Sequence, residues 1–283
     1  MAHPRSRLWV SPDFWGYDEL RDTRTLSGTR EQADLFLAPI RALYLNGLRF
    51  DWDSPVYHNL VVLRIGGLSQ KLSPQIHEML AILSACPQLH TLQLCRMSIL
   101  SSHLRSFEQV YLTELDNLCL VEVSSESFSL LLPAISPQSQ NLAFRMSLPQ
   151  ANKEIEFDSI RLFLIYNNIT RLFIQEWVDV ESHDISWYLS ATPNLHTLIV
   201  HFSRATGDRC LSGLTHLDES NGMRIPVCPQ LHTIYLLDGS FSTRVIQQVV
   251  ETHHIRKLRF WDCNMRMACT FLYAHSYSPC TEA

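Results

Sequence analysis

The sequence predicts an α/β solenoid of about nine parallel strands, with helices in the connections between them. Three observations carry that prediction. The phrase "CPQLHTLQL" at Cys86 returns as "TPNLHTLIV" at Thr192 and as "CPQLHTIYL" at Cys228. Its core, an apolar residue followed by others at i+3 and i+5, recurs along most of the chain. The stretches between the copies carry helical periodicity instead.

The template matches, in order, Ile40/Leu43/Leu45, Leu60/Leu63/Ile65, Leu89/Leu92/Leu94 and Leu115/Leu118/Leu120, then a partial copy at Leu142/Phe144. Ile169/Leu172/Ile174, Leu195/Leu198/Val200, Leu231/Ile234/Leu236 and Ile255/Leu258/Phe260 complete the series. Successive middle residues are 20, 29, 26, 24, 30, 26, 36 and 24 apart. Most of these spacings fall within or close to the roughly 20–29 residues of a leucine-rich repeat. The expected fold is therefore an irregular leucine-rich-repeat-like right-handed solenoid, a horseshoe with its helices on the convex side.

The connections support it. Ile76, Met79, Leu80 and Leu83 lie at i, i+3, i+4 and i+7 behind Ser73-Pro74, a cap and a first-turn proline. Phe128, Leu131, Leu132 and Ile135 repeat that spacing, and shorter versions occur at Ile185/Tyr188/Leu189 and Val245/Ile246/Val249/Val250. In "LSACPQLHTLQL" Pro87 stops the helix and Leu89 starts the turn into a strand, so the repeated phrase is a joint. The 20-residue first interval is too short for a helix, and "RFDWDSPVYHN" reads as a loop. The 36-residue interval holds a polar insertion with room for one short helix. This divides the chain into an N-terminal segment 1–39, a solenoid 40–263 and a tail 264–283.

Composition narrows the function. A formal net charge of −5 argues against a general nucleic-acid binder. The first residues hold no signal-peptide core, and the apolar runs are too short to span a bilayer, so no membrane is expected. The eight cysteines then read as thiols, and those beside core leucines (Cys86, Cys95, Cys119) as small buried or half-buried hydrophobes. The expected compartment is cytoplasmic or nuclear.

No catalytic residue, metal site or cofactor is expected. The chain lacks a glycine-rich dinucleotide loop, a phosphate-binding GKS or GKT and a G-x-S-x-G elbow, so it does not read as an enzyme. His90, His196 and His232 share one repeat position, but no Cys or carboxylate recurs beside His196 and His232 to complete a metal site. His253 and His254 close a helix, where imidazolium complements the dipole.

Residues alternating with the inward leucines face the opposite side of the sheet. Taken three per strand, they include five Lys or Arg and no Asp or Glu. The partner-binding residues expected on this concave face are Arg64, Arg145, Arg171, Phe173, Gln175, His201, Tyr235, Lys257, Arg259 and Trp261. In that arrangement Arg145 closes its outward triplet, Asn141, Ala143 and Arg145.

At "ILSACPQLHTLQL", "LSATPNLHTLIV" and "PVCPQLHTIYL" the chain resembles the leucine-rich-repeat-like region of fungal F-box-like proteins, over roughly residues 40 to 263. "LRFWDCN" near the end resembles the Leu-x-Leu-x-x-Cys/Asn signature, with Cys263 in the Cys/Asn place. The resemblance implies a substrate receptor for a ubiquitin ligase, whose F-box would dock on a cullin-RING adaptor while the repeats hold a protein substrate. No helical leucine-proline F-box pattern lies in residues 1–39, though "SPDFW" at Ser11 to Trp15 resembles the phrase that follows one. The adaptor is thus a partner only if an F-box lies upstream. The alternatives are a free-standing leucine-rich-repeat scaffold unrelated to ubiquitin, or a truncated, non-functional family member. The expected partner is a protein, acidic or phosphorylated.

Overall fold

The structure, a computed structural model, describes residues 7–10, 37, 39–101, 108–147, 155–177, 185–202, 207–217 and 224–266. Its centre is one ten-stranded sheet, parallel throughout, whose strands lie side by side in chain order. These are β1 (Arg7–Val10), β2 (Ala42–Asn46), β3 (Val62–Gly66), β4 (Thr91–Met97), β6 (Asn117–Val123), β8 (Leu142–Ser147), β9 (Ile169–Trp177), β10 (Thr197–Phe202), β13 (Thr233–Leu237) and β15 (Lys257–Trp261). Nine of them are the nine template copies. The tenth, β1, adds to the edge beside β2 from a segment the template does not reach.

The intervening strand numbers belong to two-stranded ladders. β5 (Val110–Leu112) pairs with β7 (Ile135–Pro137), and β14 (Ser240–Ser242) with β16 (Asn264–Arg266), both parallel. β11 (Thr215–Leu217) and β12 (Arg224–Pro226) form an antiparallel hairpin inside the polar insertion. That insertion also holds a single short helix among its described residues, Asp208–Ser212, as its length anticipated. The first interval holds one 3-10 turn, Pro55–Tyr57, whose buried Tyr57 stacks on Trp52 at 5.6 Å.

The helices fall where the periodicity places them, α1 (Ile76–Ser84), α2 (Ser125–Leu131), α4 (Ile185–Leu189) and α6 (Thr243–His253), with α5 the insertion helix Asp208–Ser212. The helix expected to run through Ile135 instead ends at Leu131, where Pro133 leads a 3-10 turn (Leu132–Ala134) into β7 at Ile135. α1 is opened by a capping box, in which the Gln75 backbone N–H donates to the Glu78 carboxylate at 2.8 Å. α3 (Ile155–Tyr166) has no counterpart in the sequence reading. Ile160, Phe163 and Leu164 are buried, yet Leu162, Ile165 and Tyr166 are exposed and apolar too, so no stripe stands out.

Strand alternation decides which side is core. Leu43, Leu63, Leu92, Leu118, Phe144, Leu172, Leu198 and Ile234 are buried to within 1% and join Met79, Leu83, Phe128, Phe163 and Leu189 from the helices in one continuous apolar cluster. The opposite face carries the outward residues, most of them half-buried.

Two expectations need correction. The partial copy at Leu142/Phe144 is complete but one residue short: Leu142, Phe144 and Met146 fill its three apolar places, and the register shifts between Leu142 and Ala143. Phe144 therefore lies opposite Leu118 and Leu172, and Arg145 moves to the middle of its strand. A shift of two residues preserves inward–outward alternation, so the pattern alone could not reveal it. The second correction concerns His253. It is buried, with Nε2 2.7 Å from the Leu214 carbonyl and Nδ1 3.1 Å from that of Cys228. Burial pulls its pKa below the usual histidine value, against the two carbonyl hydrogen bonds that raise it, so the charged ring is disfavoured there relative to solvent.

Candidate functional site, the open face of the sheet

The middle row of the open face can be followed residue by residue through the ladder. It runs Tyr44, Arg64, Gln93, Cys119, Arg145, Phe173, Ile199, Tyr235 and Arg259, each directly across from the next. Adjacent strands in a sheet lie about 4.8 Å apart, so neighbours in such a row touch.

Three cations in or beside that row lie over aromatic rings. The Arg64 guanidinium sits 4.9 Å from the Tyr44 ring centre, Arg145 sits 4.3 Å from Phe173, and the Lys257 ammonium sits 5.4 Å from Tyr235. Arg145 also donates Nη2 to Gln175 Oε1 at 2.7 Å. Its side chain is thus tied on the face of the ring and at its tip. Arg171, Lys257, Arg259 and Trp261 are exposed, Trp261 by 75%. Arg171 lies across from Ala143 and Thr197, in the row at the start of the strands.

The other expected residues are spread across the same face. Phe173 and Gln175 share β9 two residues apart, next to Arg145. His201 lies across from Leu237, with its Nε2 3.9 Å from the Asp238 carboxylate. The structure therefore gathers Arg145, Phe173 and Gln175 into one contact group, sets Lys257 on Tyr235 with Arg259 across from that ring and Trp261 across from Leu237, and leaves Arg64 with Tyr44 at the far end.

Carboxylates border the face without standing in its rows. Asp116 occupies, one repeat on, the position of His90, and the histidine column is broken there. Its Oδ1 accepts from Ser139 at 2.7 Å and its Oδ2 lies 3.3 Å from His90 Nδ1. The Ser139 hydrogen bond, then His90 and the charge of Arg171, hold its pKa below the usual aspartate value. His196 and His232 stack at 5.6 Å and, with Asn141 and Arg171, line a shallow open depression of about 390 Å³. Among the described residues, no three His, Cys, Asp or Glu gather as a metal would require. Among them also, no helix is long and apolar enough to cross a membrane. The "SPDFW" phrase lies outside the described residues.

Two features escaped the sequence reading. Gly47, Gly67, Arg96, Glu122, Asp238 and Asp262 all have positive φ and stand immediately after the last outward residue of their strands. The signal was a Gly or Asp four residues beyond the middle template position in four of the six, while Arg96 and Glu122 gave none. The second is the pairing of Cys95 with Cys119: the alternation places both outward, but they read there as small half-buried hydrophobes and not as neighbours.

No protein-family model matches the chain, and no curated protein matches it either.

Proposed function

We propose that the chain is a protein-binding solenoid whose open sheet face receives an acidic or phosphorylated segment of a partner protein. Parallel strands in chain order, joined by helical crossovers, support a right-handed leucine-rich-repeat-like horseshoe, with the open face as its concave side. The observation that carries the binding reading is the row of cations laid on aromatic rings along that face. Stacking orders the cation in advance, so less side-chain entropy is lost when a carboxylate or phosphate arrives. Arg pairs with such groups through two parallel hydrogen bonds, and exposed Trp261 offers an apolar anchor.

The resemblance to F-box-like proteins extends this reading to a substrate receptor of a ubiquitin ligase, dependent on an F-box upstream of the repeats. The test of the binding reading is a peptide array of acidic, phosphorylated and neutral sequences, followed by titration at two ionic strengths. Changing Arg145 and Arg171 together to Ala weakens the selected acidic peptide by about 1–4 kcal/mol, with the larger loss at low salt. Equal binding by the wild type and the double variant would remove the proposal.

A further inference from the structure

Cys95 and Cys119 both face the open side of the sheet from adjacent strands, and both are half-buried. The ladder sets Gln93 opposite Cys119 and Cys95 opposite Val121, which makes the cysteines diagonal neighbours. The Gln93 side-chain amide donates to Cys95 Sγ at 3.3 Å. Arg145 stands directly across from Cys119 on the next strand, and its positive charge falls on both sulfurs.

The wholly buried cysteines of the joints differ. Cys86 donates to the Tyr57 carbonyl and Cys228 to that of Leu189, and burial pushes their thiols up to about 11 and about 12. In the outward pair the two thiols titrate together. The Cys95 thiol and burial push Cys119 above the ordinary range, while the neighbouring Cys119 thiol, then the Gln93 amide and the charge of Arg145, lower Cys95 to about 6 against burial and Glu122.

We propose that Cys95 and Cys119 form a thiol-oxidation site for peroxides, with Cys95 as the attacking sulfur and Cys119 as the resolving one. The Cys95 thiolate attacks one oxygen of hydrogen peroxide. The O–O bond breaks, the departing oxygen takes a proton from solvent and leaves as water, and Cys95 becomes a sulfenic acid. The Cys119 sulfur then attacks the Cys95 sulfur. The S–O bond breaks, the hydroxyl leaves as a second water with the Cys119 proton, and the disulfide closes. Two thiols have lost two electrons, and the peroxide has taken them. From diagonal positions the sulfurs must draw in to about 2.05 Å, so the bridge strains β4 against β6 and is readily reduced by glutathione.

Two measurements on the full chain test the site. At pH 6 an ordinary thiol is only about 0.3% ionised while Cys95 is about half ionised. Allowing for the weaker nucleophilicity of a low-pKa thiolate, iodoacetamide should label Cys95 roughly ten-fold faster in the native chain than in denaturant. Equal rates would overturn the proposal without any variant being made. In the second, stoichiometric hydrogen peroxide followed by peptide mapping without reductant should yield a Cys95–Cys119 cross-link that glutathione reverses. Cys119→Ser should stop at a Cys95 sulfenic acid that dimedone captures. Oxidation that reaches another cysteine first, or that leaves Cys95 untouched in Cys119→Ser, would overturn it.

Discussion

Arg145 and Arg171 look equivalent in the sequence, and the structure separates them. Arg145 lies on Phe173 and bonds Gln175, while Arg171 is exposed on the neighbouring strand. Arg145→Ala alone is expected to lower stability by about 1 kcal/mol, through the lost stack and the packing of the arginine stem. Arg171→Ala should stay within about 0.5 kcal/mol. Urea melts of the two single variants measure the difference. His253 governs a pH response. Burial lowers its folded pKa, so the unfolded chain binds that proton more readily. Its contribution is fully present above about pH 6.5 and is lost as the pH falls through the lower folded value. The melting temperature should therefore drop on acidification from pH 7.5 to 5.5. His253→Gln, which stays neutral and can still donate to a carbonyl, should flatten that drop. An unchanged slope in the variant would assign the response elsewhere.

At the scale of the element, the repeated joint owes its first residue to a buried hydrogen bond. Cys86, Thr192 and Cys228 occupy one position, all nearly inaccessible. Cys86 and Cys228 donate to carbonyls 29 and 39 residues earlier, and Thr192 to the Leu189 carbonyl at the end of its own helix. The position needs a small donor that fits among leucines, and both Cys and Thr qualify. Cys86→Val removes the donor and leaves the Tyr57 carbonyl facing an apolar group, at a cost of about 1–3 kcal/mol. Cys86→Ser keeps a donor and should cost less. Reversal of that order in denaturant titrations would mean that volume, and not the hydrogen bond, decides the residue there.

Across the whole molecule, the apolar cluster runs without a break from Leu37 to Val249, while the last strand is left at an edge. Leu118 in the sheet centre is 1% exposed, whereas Leu258 is only partly buried and its neighbour Phe260 is 39% exposed. Equivalent places in the template therefore carry unequal energy. Leu118→Ala is expected to cost about 3 kcal/mol and Leu258→Ala about 1 kcal/mol or less, as read from urea midpoints. Similar losses at both positions would mean that the edge is covered in solution.

By itself, the sequence determined the parallel sheet, the place of nine of its strands and the side on which each leucine lies. Apolar residues at i+3 and i+5 can be buried together only if the chain turns and then extends, and that constraint is local. The row in which a residue stands is not local. It depends on how one strand pairs with the next, and the missing residue before Ala143 moved Arg145 beside Cys119 without disturbing a single inward leucine. The cation–aromatic pairs, the neighbouring thiols of Cys95 and Cys119 and the burial of His253 all arise from such pairings between repeats. Residues 20 or more positions apart acquire these properties only when the strands close against one another, because hydrogen bonding, charge and burial act through space and not along the chain.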